Sequence, residues 1–317
     1  MADLHGSEPT FRKFLNASRV YDADVLIFGG DLMGKALVPI VQVGDTYYAQ
    51  FLGDDESFDA AALPEFRRRV EASGFYHRVV DRDGYEAMKA DRMLVRGAFV
   101  ELATERLRSW IALATERLAG TGVRLYLTGG NDDEPEVLQA LADADGETVI
   151  AAEHRLVQLD ERHTMVTLGY STPTPWDTPR EVSEDELAAM IDHEVAMVPD
   201  PTRCVFNFHV PPKDTFLDRC LKLDVNGPLA EGELPRPVRM GGRFVYTGGG
   251  SEAVKRAIER YQPFVSLHGH IHESSGRQRF GRTISFNPGS EYAQGRLEGV
   301  IVTIGDAKVA GYQHTSG

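Results

Sequence analysis

Two unbroken apolar runs each stop at a pair of glycines that lead into a carboxylate or an amide. Residues 24–29 (DVLIFG) are followed by Gly30-Asp31, and residues 123–128 (VRLYLT) by Gly129-Gly130-Asn131-Asp132. A strand-length run without alternation has no polar face, so both of its faces must be covered, as they are in a parallel sheet flanked by helices. Residues 203–208 and 263–267 have the same character, and helical patterns lie between these runs. The chain is therefore expected to be a layered α/β or α+β protein. In such sheets ligands collect at the carboxyl ends of the strands, so the chemistry is expected just after each run.

Residues 38–43 and 46–52, separated by Gly44-Asp45, read as a hairpin with a two-residue turn. Helical patterning covers residues 63–72 and then runs from about 85 to 118, with LATERL at 102–107 and again at 113–118. The spacing of eleven residues is about three turns, so both copies present the same face. This reads as an amphipathic helix packed on the sheet, with a cap or a homo-oligomer contact as the sharper alternative. Residues 148–151, 155–159 and 165–169 resemble a small antiparallel meander. Ser183 and Glu186 have the spacing of a capping box. Gly248 to Ser251 precede a helix over 252–261, where the N–H groups of Gly249, Gly250 and Ser251 could hold a phosphate. Residues 283–286 and 300–311 are strand-like, turning at Gly305-Asp306. No linker rich in Gly, Ser or Pro divides the 317 residues, which predicts a single domain over 1–317 with a hairpin-plus-helix insertion at about 35–120 that could cap a site.

Composition removes several functions. A net charge of −14 argues against nucleic acid and anionic membranes as partners, while a small phosphorylated substrate drawn to local metal charge stays open. No apolar run approaches the roughly 18 residues of a membrane span. Met1-Ala2 leads directly to a charged residue without a signal-peptide pattern, so the expected location is cytoplasmic. Cys204 and Cys220 are expected to be reduced thiols.

Five short segments at or after apolar runs collect the polar residues: Asp3-Leu4-His5, Gly30-Asp31, Gly130-Asn131, His209, and His268-Gly269-His270-Ile271-His272. Singly they are weak, since a GGD is commonly a turn and a lone His is commonly just hydrogen-bonded. The histidines of GHIH are more telling, because two apart on a tight backbone they can converge on one site. Mixed oxygen and imidazole donors suit Mn, Fe, Ni or Zn better than Mg or Ca.

Taken in order, D-x-H, GD, GN, H and GHxH, this series resembles the calcineurin-like metallophosphoesterase superfamily, and it runs from residue 3 to residue 272. The resemblance implies a four-layered α/β/β/α sandwich and a phosphatase or phosphodiesterase with a binuclear centre of two divalent ions, manganese first. It implies that Asp3, His5, Asp31 and His272 hold one ion. Asp31, Asn131, His209 and His270 would hold the other, with Asp31 as bridge and a metal-bridging hydroxide attacking phosphorus in line. His77, His154, His163, His193 and His314 are expected to be structural or on the surface. His268 is expected to have a local structural role, with orientation of a ligand as the alternative.

Two features depart from the family pattern. Many members have His after the Asn, whereas this chain has Asp132, followed by Asp133, Glu134 and Pro135. Asp132 is expected to cap the helix starting near Pro135, and the alternative is a general acid. Asp132 and His5 are therefore the catalytic candidates. The family also places a buried strand before D-x-H, but only Met1 and Ala2 precede Asp3. This leads us to expect that the natural start lies upstream, that a slot stands open beside residues 24–29, and that Asp3 and His5 are poorly anchored. A non-catalytic binding scaffold is the rival function.

Overall fold

The apolar runs at 24–29 and 123–128 become the strands Val25–Ile27 and Arg124–Leu127, which pair in parallel. Val149–Ala151 adds in parallel on the far side, giving a three-stranded sheet with Val25–Ile27 at one edge. The computed structural model describes residues 1–224 and 235–317. A six-stranded sheet runs in the order Gly276–Phe280, Thr283–Asn287, Val265–Leu267, Cys204–Phe208, Thr164–Leu168, Val157–Gln158. Its four inner strands are parallel and its two edge strands antiparallel. The expected meander is thus divided between two sheets. The strand Val149–Ala151 pairs with Arg124–Leu127, while Val157–Gln158 and Thr164–Leu168 pair with each other.

Seven α-helices occur among the described residues: α1 Glu8–Val20, α2 Leu63–Ala72, α3 Arg82–Ala90, α4 Arg92–Leu118, α5 Pro135–Asp143, α6 Glu184–Ala196 and α7 Glu252–Tyr261. Alternation along the strands decides what each covers. Leu26, Leu125 and Leu127 point into a cluster with Phe11 and Phe14 of α1, Leu107 and Trp110 of α4, and Val137 and Leu141 of α5. The neighbours Val25, Ile27 and Tyr126 point the other way, into a second cluster with Met165, Val205, Val265 and Phe286 of the six-stranded sheet. On the opposite face of that sheet, Val166, Phe206 and Phe208 lie under Leu187 and Ile191 of α6 and Val254 and Ile258 of α7.

Helix α4 is packed into the first cluster, as the simpler reading expects. Ala103 and Leu107 from the first LATERL copy are buried together with Ala114 and Leu118 from the second. The helical pattern over 85–118 is not continuous. It breaks at Asp91, whose carboxylate accepts a bond from Met93 N (2.8 Å) and starts α4. The capping box of α6 forms as the spacing predicts.

The segment after Asp31 builds a four-stranded sheet, in the order Asp54–Asp59, Thr46–Phe51, Leu37–Val43, Tyr76–Val80. With α2 it closes a small core of its own around Val38, Ile40, Phe51, Phe66 and Val70. At the C-terminus, Glu298–Ile304 and Val309–Ser316 form a hairpin. A cavity of about 530 Å³ lies beside the Val25–Ile27 edge, lined by Val25, Ile27, Phe286, Val300 and Val302 among others. The expected opening beside residues 24–29 is therefore present, although Met1 reaches along the edge through Gly29 N to Met1 O (2.8 Å). Among the described residues, no helix is long and apolar enough to cross a membrane. Both cysteines are free, Cys204 buried and Cys220 partly so.

Candidate metal centre

Five of the seven motif residues follow the carboxyl end of a parallel strand. Asp31 follows Val25–Ile27, Asn131 follows Arg124–Leu127, His209 follows Cys204–Phe208, and His270 and His272 follow Val265–Leu267. The first two strands belong to one sheet and the last two to the other, so the centre sits where both sheets end. Asp3 and His5 come from the turn before α1. They are not poorly anchored, which corrects the expectation: both are fully buried, and the N–H groups of Asp3, Leu4, His5 and Gly6 donate to the carbonyls of Gly30, Asp31, Asp31 and Leu32 (2.8–3.1 Å). The approach is so close that a Cβ at Gly30 or Gly130 would collide with His209 or with the Asp31 carboxylate, respectively.

The seven residues form two linked sets. His5 Nε2 lies 3.5 Å from Asp31 Oδ2 and 3.1 Å from His272 Nε2, and His272 Nε2 lies 3.6 Å from Asp3 Oδ1. In the other set His209 Nε2 lies 3.4 Å from the same Asp31 Oδ2 and 3.0 Å from Asn131 Oδ1, which is 2.7 Å from His270 Nδ1. Asp31 Oδ2 is thus common to both. Buried Asp and His groups here could hold a metal ion, among them Asp3 with His5 and His272, and Asp3 with Asp31 and His209.

The donors fit a cation. His209 Nδ1 donates to Gly29 O (2.8 Å), which leaves the Nε2 lone pair of the neutral ring facing two oxygens. Asn131 Nδ2 donates to Thr178 Oγ1 (2.8 Å), which turns Oδ1 inward. Lone pairs that converge in a buried place need positive charge between them. Burial lowers the pKa of His209, but the charge and hydrogen bond of Asp31 outweigh it and raise the value to about 9. For Asp31 burial acts upward, and the charges of His209 and His5 bring the carboxyl well below its ordinary value. Burial and the Lys35 charge hold His5 well below the usual imidazole range, and burial and His209 lower His270 to about 4. The buried Nδ1 of His5 has no hydrogen-bond partner among the described residues.

Asp132 does not cap the following helix. The N-cap of α5 is Glu134, without a side-chain hydrogen bond, while the Asp132 carboxylate turns toward the cluster, 3.6 Å from His5 Nδ1 and 3.2 Å from Lys35 Nζ. Its own N–H donates to Asp31 Oδ1 (3.0 Å), which fixes that direction. Burial and the Asp31 charge raise its pKa against the pull of Lys35. The phosphate reading of Gly249, Gly250 and Ser251 is also corrected, because these donors are already engaged. Gly249 N bonds Asp218 O and Gly250 N bonds Asp218 Oδ2, while Ser251 Oγ and the N–H groups of Glu252 and Ala253 bond the Glu184 carboxylate.

Several residues at the centre escaped the sequence reading. Buried Asp133 accepts from Leu32 N, Met33 N and Gly130 N (2.7–2.9 Å), so it ties together the loops carrying Asp31 and Asn131. Its position inside a GNDD run was its sole signal. Asn287 Nδ2 reaches Gly269 O and Ile271 O (3.1 and 3.0 Å) and steadies the GHIH turn. Tyr292 lies against His5 and His272, with ring centroids 4.7 and 5.7 Å away. Nothing in the local sequence marked Lys35, Asn287 or Tyr292. His268 has a structural role, with Nδ1 donating to Phe208 O (2.8 Å) and Nε2 accepting from Ser266 Oγ (2.8 Å).

No family model matches the chain, and no curated protein does. Among solved structures, one is 16% identical, covering 83% of this chain and 93% of its own, with a TM-score of 0.44. The sulfate thiohydrolase SoxB of Thermus thermophilus, in complex with glycerol, is 15% identical over 81% of this chain, with a TM-score of 0.32. This chain spans 41% of SoxB.

Proposed function

We propose that this chain is a metal-dependent phosphoester hydrolase of the calcineurin-like metallophosphoesterase type, built as one domain on a four-layered α/β/β/α sandwich. The observation that carries the reading is the convergence on Asp31: one carboxylate oxygen lies 3.4–3.5 Å from imidazole nitrogens of two separate ligand sets, His5 with His272 and Asp3, and His209 with His270 and Asn131. The order of the motifs supports the family. The succession of contacts, helices on sheet, sheet on sheet, sheet on helices, supports the sandwich.

Asp3, His5, Asp31 and His272 would hold one divalent ion, and Asp31, Asn131, His209 and His270 a second, with Mn preferred and Fe, Ni or Zn compatible with the donors. Ions bound there would neutralise charge on phosphoryl oxygens and acidify a water for in-line attack. The chain's own part is orientation. Gly29 O sets the His209 tautomer, Thr178 sets the Asn131 amide, and Asp133 sets the two loops that meet at Asp31. Asp132, at the mouth with its side chain 22% exposed and His5 behind it, is the group placed to meet a leaving oxygen.

The test is hydrolysis of nitrophenyl phosphate and of bis(nitrophenyl) phosphate over a panel of divalent metals, with metal content measured on the same protein. Turnover with two ions per chain, both lost in Asp31→Ala, is the expected result. A folded protein that binds no ion and turns over neither ester under any metal would leave the binding scaffold as the function.

A further inference from the structure

Lys35 brings positive charge to the mouth of the cluster from a loop that is otherwise fixed. Leu32 N and Met33 N are held by Asp133, and Gly34 N donates to Tyr76 Oη (3.0 Å), so the stem of the loop is pinned up to the residue before Lys35. The side chain itself is 43% exposed, and its ammonium rests 3.2 Å from Asp132 Oδ2. An ion pair open to water is cheap to exchange for another anion. Lysine presents its charge as a compact ammonium with three rotatable donors on a flexible stem, a form suited to phosphate.

We propose that Lys35 is a substrate-binding residue that exchanges Asp132 for the phosphoryl group, and that the site in consequence selects phosphomonoesters over phosphodiesters. The inference rests on the phosphoester hydrolase reading above and adds the substrate class to it. Two arguments give the class. With the attacking water still neutral, Asp3, Asp31 and Asp132 together with Lys35 and two divalent ions sum to two positive charges, which draw a monoester dianion in more strongly than a diester monoanion. A monoester also has three free phosphoryl oxygens, enough for both ions and an ammonium, whereas a diester has two and leaves one contact unmade. Asp132 would repel the incoming dianion unless Lys35 stands between them, so the pair works as a gate for charge.

The experiment uses the full chain loaded with Mn²⁺ and the variants Lys35→Ala, Lys35→Arg, Asp132→Asn and the double variant Lys35→Ala/Asp132→Asn. It reads KM and kcat for nitrophenyl phosphate and the bis-ester, metal content, and the Kd of inorganic phosphate by calorimetry. In Lys35→Ala the monoester KM and the phosphate Kd should rise about tenfold or more, the loss of one charge-assisted contact. The bis-ester KM should move less than about threefold, and metal content should stay at the wild-type level. Lys35→Arg should recover most of the phosphate binding. Asp132→Asn should tighten phosphate binding with Lys35 present, and the double variant should lack that gain. An unchanged phosphate Kd in Lys35→Ala, an equal loss for both esters, or a loss of metal from that variant would overturn the inference. Absence of turnover by loaded wild type on either ester would instead overturn the hydrolase reading.

Discussion

Asp3, His5, Asp31 and His270 all have positive φ, between 42° and 69°, in the left-handed region that non-glycine residues seldom occupy. Each such residue costs on the order of 1 kcal/mol or more and persists where surrounding bonds overdetermine it. For Asp31 an overdetermining group is Asp133, which accepts from the N–H groups of Leu32 and Met33 just after it and of Gly130 beside it. Replacing it with Asn keeps the shape but sets an amide donor against one of the three backbone N–H groups it now accepts. The expected cost of Asp133→Asn is about 2 kcal/mol for the frustrated buried contact, read as a lower urea midpoint, together with weaker metal binding by titration. The candidate ligand residues stood out in the sequence because glycine turns after apolar runs put their type and order on display. Asp133, Thr178, Asn287 and Lys35 were not legible as parts of the site. Apart from the bond of Asp133 to nearby Gly130, the contacts that tie them to the site reach from 16 to about 100 positions along the chain, and no local pattern encodes such a pairing. Asp132 was misread for a related reason, since an acidic residue before a proline-led helix is normally a cap, and here Asp31 and Lys35 outbid the helix.

At the scale of elements, α4 packs through a large aromatic side chain. Trp110 is fully buried, its ring stacked on Phe11 at 4.3 Å and 6°, and its Nε1 bonded to Glu8. Trp110→Ala should cost about 3–5 kcal/mol, seen as a large fall in the thermal or urea midpoint, because the cavity would open between α1, α4 and the sheet. A second element contact should show in the pH profile. His154 Nδ1 lies 2.8 Å from the carboxylate of Glu194 on α6, which is buried. The hydrogen bond to Glu194, against the opposing effect of burial, raises the His154 pKa. A pKa raised by folding gives stability that is complete below the ordinary histidine value and is lost as pH rises through the raised one. His154→Gln should therefore be less stable than wild type at about pH 5.5 and converge with it above about pH 8, in urea titrations across that range. The helices and hairpins were readable because their signals are local, a 3.6-residue period, a capping box, a Gly-Asp turn. The allegiance of Val149–Ala151 was not, since an apolar run of three residues fits either sheet and only packing chooses.

For the whole molecule, the fold class was legible from the alternation of apolar runs and helical patterns, and so was an opening beside residues 24–29, while its lining and its volume of about 530 Å³ took shape only once the sheets were docked. If the centre of converging lone pairs holds ions as proposed, the apoprotein should be less stable than the loaded one. Chelation should lower the thermal midpoint and Mn²⁺ should restore it, by about 3 kcal/mol per ion at a hundredfold excess over Kd. The same centre has a consequence in time. Its candidate ligands are drawn from residue 3 to residue 272 and from the ends of both sheets, and the sheets are built largely from parallel pairings between distant segments. Loop closure on that scale comes late, so neither ligand set exists until the two sheets have docked. Metal should accordingly leave the refolding rate nearly unchanged and slow unfolding. In a stopped-flow chevron with and without Mn²⁺, the unfolding limb should drop while the refolding limb stays in place, so that the ions act as a clasp on a finished structure and not as a template for it.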